Sequence, residues 1–420
     1  MSYRNPRNRL AANAPTHAAW ARSRIAASLA ALALAACSTA PAPVAKVDEE
    51  AVARYRAGGY GPPAPLAIES HRISGPVTEA PWTIGLTRPA DHQLRPVIIF
   101  LPSLGQDDAA PVRWIETWAH AGYAVLVIQP LADDADVWST PDARSGDFER
   151  IARARFADEL MADRIARLSR LLIQVRTRSL RSEPGLDGLD WNHLALAGAD
   201  LGAYTVQSIA TAPPPTLAAA AWPLNPQAYL VISPYAVRGA PPVDTAPARA
   251  PVMMISAVDD VDAYGVVTDP AIRHLAFDRL VGVDDYYFEL GVATHRWLGG
   301  AVVLADAPEA TPRARPMMSD EVSGGQNRGR RKPGSARDDM APQGDDEDTA
   351  AEKKARTASR LDMLAARSRA LTQSALSVTS FEAVSLAFLD AYVRDLPAAH
   401  AWLGETAPHW LQDGDRLKHR

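Results

Sequence analysis

The stretch Leu194–Val206, LALAGADLGAYTV, decides how the rest of the chain is read. It opens as a short apolar run of strand type. It then passes a tight turn, Gly198-Ala199-Asp200-Leu201-Gly202, and continues as small residues of helix type. A strand, a sharp glycine-bounded turn and a helix in one stretch make one unit of a parallel sheet covered by helices. The same alternation recurs along the chain. TIGLTRP, RPVIIFLP, AVLVIQP, HLALAG, AYLVISPY, PVMMISA and DYYFELG are short runs rich in Val, Ile, Leu and Tyr, and helix-length segments lie between them. The expected class is therefore α/β, with a mostly parallel central sheet and helices on both faces.

The 420 residues are 47% hydrophobic and 22% charged, which is ordinary globular composition. A net charge of -5 forces no face to be basic, so nucleic acid is not an expected partner. One cysteine, Cys37, excludes an internal disulfide and a cysteine-based zinc site. No metal and no cofactor are expected, since no zinc, Walker or dinucleotide pattern is present. A monomer is expected.

The N-terminus has the pattern of an export segment. Arg4, Arg7, Arg9, Arg22 and Arg24 precede an apolar run, Ile25 to Ala36, too short to span a bilayer permanently. It ends Leu34-Ala35-Ala36-Cys37, which resembles a bacterial lipobox. That resemblance implies a signal peptide over 1–36 and lipidation at Cys37. Ser38 after it is compatible with outer-membrane sorting, so the expected place is the periplasmic side of the cell envelope, with acyl chains as the membrane anchor. An apolar helix with an incidental cysteine is the competing reading.

Residues 37–70, rich in Ala and Pro, read as a tether. Residues 71–305 carry the strand and helix alternation. Its clearest helix is RIARARFADELMADRIARLSRLLIQVRTR, with Phe156, Leu160, Met161, Ile165, Leu168, Leu172 and Val175 on one stripe. Residues 306–358 mix both charges, carry almost no large apolar side chain and read as a disordered insertion. Helical patterning resumes from Arg360, and 359–412 are expected to complete the same domain through Phe381, Val384, Phe388, Leu389 and Tyr392. His193 and His120 read as surface and helix-end groups. Trp114 and Trp118 read as packing, and Trp138 as packing or as the wall of a pocket.

A strand–Gly-x-x-x-Gly–helix turn is the shape on which some enzymes mount a nucleophile, usually written Gly-x-Ser-x-Gly. In that arrangement an acid follows a later strand and a histidine follows the last one. This chain keeps the order: Asp259, Asp260 and Asp262 come after PVMMIS, and His295 comes after YYFELGVAT.

ADLGAYT, DDVDAYG with a downstream IRHLAFD, and ELGVATHRWLGG together resemble the α/β-hydrolase superfamily, in particular the platelet-activating-factor acetylhydrolase, chlorophyllase and dienelactone hydrolase-like group. The resemblance covers roughly His71 to Gly300 and the final helix. It implies an α/β-hydrolase fold and hydrolysis of a small ester-like substrate. Asp260 would be the acid, His295 the base, Asp262 a second carboxylate nearby, and the Leu104 and Leu201 N–H groups the oxyanion donors. Two departures stand out. The family's serine is Asp200 here, preceded by Ala199 where the family has His. The oxyanion segment reads Pro102-Ser103 within FLPSLGQ. No large cap domain is expected, because AYLVISPY and PVMMISA are separated only by AVRGAPPVDTAPARA.

Three readings of Asp200 stay open. It can attack carbon itself and form an ester, although attack on a carboxylic ester carbonyl would give an anhydride. His295 can activate water directly, with Asp200 orienting the water or raising the imidazole pKa. Or the site is a non-catalytic buried cluster in an envelope protein with a binding or structural role. Two acids and one histidine leave one negative charge, which a proton, a cation or solvent must offset.

Overall fold

The computed structural model describes residues 44–420 except 74–81, 109–111, 134, 212–221, 223, 237–247, 249, 263, 283 and 301–349. Cys37, the 1–36 segment and most of the expected insertion lie outside the described residues. Lys46–Arg420 form one compact unit.

Among the described residues nine strands make one mixed sheet: β1 (Ile68–Arg72), β2 (Trp82–Pro89), β3 (Arg95–Leu101), β4 (Ala124–Pro130), β5 (Leu189–Ala199), β6 (Ala228–Ile232), β7 (Val252–Asp259), β8 (Tyr286–Thr294) and β9 (Arg416–His419). Their order is β1-β2-β4-β3-β5-β6-β7-β8-β9. From β4 to β8 every pairing is parallel. β1, β2 and β9 run antiparallel to their neighbours. The seven apolar runs each become a strand.

The principal helices are α1 (Glu49–Gly58), α2 (Val112–His120), α3 (Asp158–Leu180), α4 (Leu201–Thr211), α5 (His295–Leu298) and α6 (Ala350–Tyr392). They cover both faces of the sheet, as the continuous apolar strands require. Side chains alternate along β3. Val97, Ile99 and Leu101 join one core with Ile165, Leu168 and Leu172 of α3 and Val206 and Ile209 of α4. Ile98 and Phe100 join the other with Trp114 and Trp118 of α2 and Phe381, Val384 and Phe388 of α6. Trp114 stacks on Phe381 at 3.8 Å and donates its indole N–H to Leu298 O at 2.9 Å. Each such aromatic buries enough apolar surface to contribute roughly 2–3 kcal/mol.

Four expectations are corrected. The stretch read as a tether to residue 70 contains α1 and the start of β1. Asp48 caps α1, Glu49 and Glu50 fill its first turn and Arg56 its last, which is complete helix punctuation within an Ala/Pro-rich composition. Tyr55 stacks on Trp410 and bonds Ser380, so α1 is docked. Second, the Arg-rich helix is two helices, Phe148–Arg155 and α3. Ala157 is extended between them, and the Phe156 ring is fixed against Tyr204 and Tyr235. Leu160, 43% exposed, lies off the apolar stripe of α3 that carries Met161, Ile165 and Leu168. Third, α6 starts at Ala350, inside the segment read as disordered to 358. Fourth, β9 lies beyond residue 412.

The glycine turn is fixed by contact rather than by sequence preference. A Cβ on Gly202 would sit 1.9 Å from Leu101 O, and one on Gly198 would sit 2.5 Å from the Gly202 carbonyl carbon. Strand β3 and the start of α4 therefore touch backbone to backbone. Gly202→Ala is expected to destabilise the protein by on the order of 3 kcal/mol or more, measured by urea unfolding. A change within a few tenths would mean that the turn is slack.

Candidate functional site

The C-terminal ends of the parallel strands bring the expected residues together. Asp200 sits between β5 and α4 with φ +51, a left-handed backbone that costs energy for a residue with a Cβ. Its N–H donates to Ile232 O at 3.0 Å, which ties the turn to β6. Asp260 follows β7 directly, and His295 begins α5 directly after β8.

Asp260 is fully buried and is the hub. Its Oδ1 accepts from His295 Nδ1 at 2.7 Å and from the Ser233 hydroxyl at 3.1 Å. Its Oδ2 accepts from the Ser256 hydroxyl at 2.9 Å and lies 3.0 Å from Arg273 Nε. On the far side of the ring, His295 Nε2 is 3.5 Å from Asp200 Oδ1. Asp200 Oδ2 accepts the Leu104 N–H at 3.2 Å. Arg273 also donates to the backbone carbonyls of Asp260 at 2.9 Å and Pro234 at 2.9 Å, and it is buried. Of the three ways to offset the remaining negative charge, a proton, a cation or solvent, it supplies the cation. Both side-chain nitrogens of His295 face carboxylates, and Arg273, on the far oxygen of Asp260, also brings its Nη2 within 3.3 Å of His295 Nδ1, so Asp200, His295, Asp260 and Arg273 form one charged cluster.

The protonation states follow. Burial alone would lower the His295 pKa, but hydrogen bonds to Asp200 and Asp260 outweigh it and lift it to about 10. Burial alone would raise the Asp200 pKa. The hydrogen bond and charge of His295, the Arg273 charge and the Leu104 N–H outweigh that and hold it below the ordinary carboxylate value. At neutral pH His295 is held as the imidazolium and Asp200 as the carboxylate.

The loop after β3 is fixed from its carbonyl side. Gln129 donates to Ser103 O at 3.0 Å, the Tyr264 hydroxyl to Leu104 O at 3.0 Å, and the Trp138 indole to Gly105 O at 3.1 Å. Trp138 and Tyr264 stack on each other at 5.3 Å. Burial and the nearby Asp200 charge push the Tyr264 phenol up, so it stays a donor. Gly105, at φ +78, lies so close under the Trp138 ring that a Cβ would meet it at 2.1 Å. With its carbonyls held this way, the loop aims the Leu104 N–H at Asp200.

Leu201 is buried at the head of α4, but among the described residues Leu104 alone supplies a backbone N–H to the Asp200 carboxylate. Asp262 is not brought to His295. Its carboxylate accepts from the N–H groups of Tyr264, Val266 and Val267 and closes its own loop. His193 pairs with Asp190 at the surface, and His120 bonds Leu66 O, which matches their bland readings. Arg273, Ser233 and Ser256 were missed, though each lies in or beside a run already quoted: IRHLAFD, AYLVIS and PVMMIS. Trp138 lies in a short helix, Ala135–Ser139, that follows β4.

The sign of the pH dependence is fixed by these shifts. The raised His295 pKa contributes stability that is complete below about pH 6.5 and is lost as pH rises from there through about 10. The lowered Asp200 pKa contributes stability present above about pH 3.8 and lost as pH falls through the lower folded value. Urea midpoints of the wild type should fall over the upper window, and His295→Gln should flatten that fall while lowering the plateau. Parallel profiles for the two proteins would show that His295 is not held charged. Neither a family model nor a curated protein matches the chain, so the case for its chemistry rests on the geometry of these residues.

Proposed function

We propose that the protein is an exported, lipid-anchored hydrolase of α/β-hydrolase fold in which Asp200 is the nucleophile for an ester-like bond. The carrying observation is the Asp200 carboxylate itself: one oxygen lies against a backbone N–H and the other faces His295. The strand order with β2 reversed, the strained turn after β5, the acid after β7 and the histidine after β8 support the fold.

Each residue has a step. Oδ1 attacks the alkyl carbon of an ester or lactone C–O bond, because attack on the carbonyl would give an anhydride. The C–O bond breaks and the carboxylate leaves as its anion, and the His295 Nε2 proton passes to bulk water once Asp200 is neutral. Alkylated Asp200 no longer carries charge, so His295 loses one of the two carboxylates that held it protonated, and its pKa falls toward the working range of a base. Neutral His295 then takes a proton from water as that water attacks the Asp200 ester carbonyl. The Leu104 N–H stabilises the oxygen that turns negative. Collapse releases the alcohol and restores the carboxylate. Direct activation of water by His295 in the free protein is the weaker reading, since both carboxylates hold the imidazole in its protonated form.

A second reading has an observation of its own. The four formal charges sum to zero, every carboxylate oxygen in the cluster of four has a partner, and Asp200 is only 4% exposed. A scaffold that lost its serine would gain stability from that arrangement.

Benzyl esters and small lactones separate the two. Wild type should release acid and alcohol, Asp200→Asn should be inert, and His295→Gln should lose roughly 10²–10⁴ in turnover while accumulating a benzyl adduct on the Asp200 peptide by mass spectrometry. Inert wild type, with Asp200→Ser gaining activity on p-nitrophenyl acetate, would favour the scaffold reading. For the anchor, wild type should sediment with membranes and Cys37→Ser should not. Equal sedimentation would remove lipidation at Cys37.

A further inference from the structure

Leu131–Asp133, directly after β4, is a single turn of three residues, too short to fix its own place through backbone bonds. Its last residue, Asp133, is buried and held at both ends. Arg164 of α3 grips the carboxylate, with Nη2 donating to Oδ2 at 2.5 Å, and Arg155 Nε lies 3.4 Å from Oδ1. The backbone carbonyl of Asp133 accepts the Gly105 N–H at 2.8 Å and the Gln129 side-chain amide at 3.1 Å.

The Gln129 amide carries this hold on to Asp200. The same nitrogen donates to Ser103 O at 3.0 Å and to Gln106 O at 3.0 Å. Ser103 C=O and Leu104 N–H are the two ends of one planar trans peptide, so they point in opposite directions. Holding the carbonyl at Gln129 points the N–H away from Gln129, toward Asp200 Oδ2 at 3.2 Å. The two amide hydrogens serve three carbonyls, and Asp133 O is the one that comes from outside the β3 loop. Arg164 also feels the site: burial lowers its pKa, and the Asp133 and Asp200 charges oppose that.

We propose that Asp133 is a positioning residue for the Asp200 site, and that the Arg164–Asp133 ion pair is the tie through which α3 fixes the aim of the Leu104 N–H. Helix α3 is a firm post for it, because Ile165, Leu168 and Leu172 bury it against the sheet. Asp133 acts through Gly105 and Gln129. The tie itself is independent of turnover, and its effect on rate rests on the nucleophile reading of Asp200.

The test follows hydrogen exchange of the Leu104 amide in the full chain carrying 15N-labelled leucine, with Leu126 of β4 and Leu196 of β5 as internal controls. In Asp133→Asn and Arg164→Gln the Leu104 amide should exchange roughly tenfold faster than in wild type, while both controls stay protected. Arg164→Lys, which keeps the charge and loses the fork, should fall between, and it decides the matter if either of the others fails to fold by circular dichroism. Unchanged Leu104 exchange in folded variants, or a parallel rise at all three leucines, would overturn the proposal. On benzyl esters the same variants should lose roughly tenfold or more in kcat with KM little changed, and the benzyl adduct should build up on Asp200, since the Leu104 N–H serves the step that hydrolyses it. Unchanged kcat beside faster Leu104 exchange would overturn the role in rate. An inert wild type would sink the nucleophile reading and leave the exchange measurement to decide the tie.

Discussion

Asp260 is fully buried, and the functional end of the molecule is arranged around the partners of its carboxyl group. Four side chains serve it: two serine hydroxyls, one imidazolium and one guanidinium. They come from the end of β6, from β7, from α5 and from the turn that ends at Arg273. Loss of a charged partner of a buried carboxyl costs roughly 3–5 kcal/mol, and loss of one serine hydroxyl roughly 1–3 kcal/mol. The strand ends are therefore tied to one another by electrostatics as well as by the ladder. The imidazole orientation, and through it the Asp200 position, is inherited from that hub.

The second constraint is the backbone contact between β3 and α4 at Gly202. It sets how near the Leu104 loop comes to Asp200. The carbonyl contacts from Gln129, Tyr264 and Trp138 then set the loop's direction. Distance comes from the absence of a side chain at one position, and aim comes from three polar side chains at others. The N–H–carboxylate bond at Asp200 is the product of both.

Much of this was legible in the sequence. Seven apolar runs are strands because a parallel sheet buried on both faces needs continuous apolar strands, and such runs are visible without knowledge of neighbours. Asp200, Asp260 and His295 could be placed by their order after strands. Arg273 could not, because its partners come from separate elements and its role exists only once they meet. The charge count showed that a negative charge needed offsetting, by a proton, a cation or solvent, without saying which. Asp262 shared the local pattern of Asp260, but spacing along a loop does not say which carboxylate faces the histidine. Helix α1 was hidden by composition, although its cap and end charges were present. The break at Phe156 was hidden because the apolar spacing runs through it, and only the aromatic contacts across the fold reveal the turn. β1 and β9 are short and polar, and nothing in their periodicity separates them from loops.

Those two strands have a further consequence. They are the edges of the sheet, and each comes from near one end of the described chain: IESHR on one side, RLKH on the other. An open edge offers unpaired backbone groups to any passing strand. Here the strands that occupy the edges are brief and carry Glu69, His71, Arg72, Arg416, Lys418 and His419. A nine-stranded sheet with an apolar interior thus ends in charge on both sides. The sequence that looks least like a strand is what keeps the sheet from growing into its neighbours at the high local concentrations of a crowded compartment.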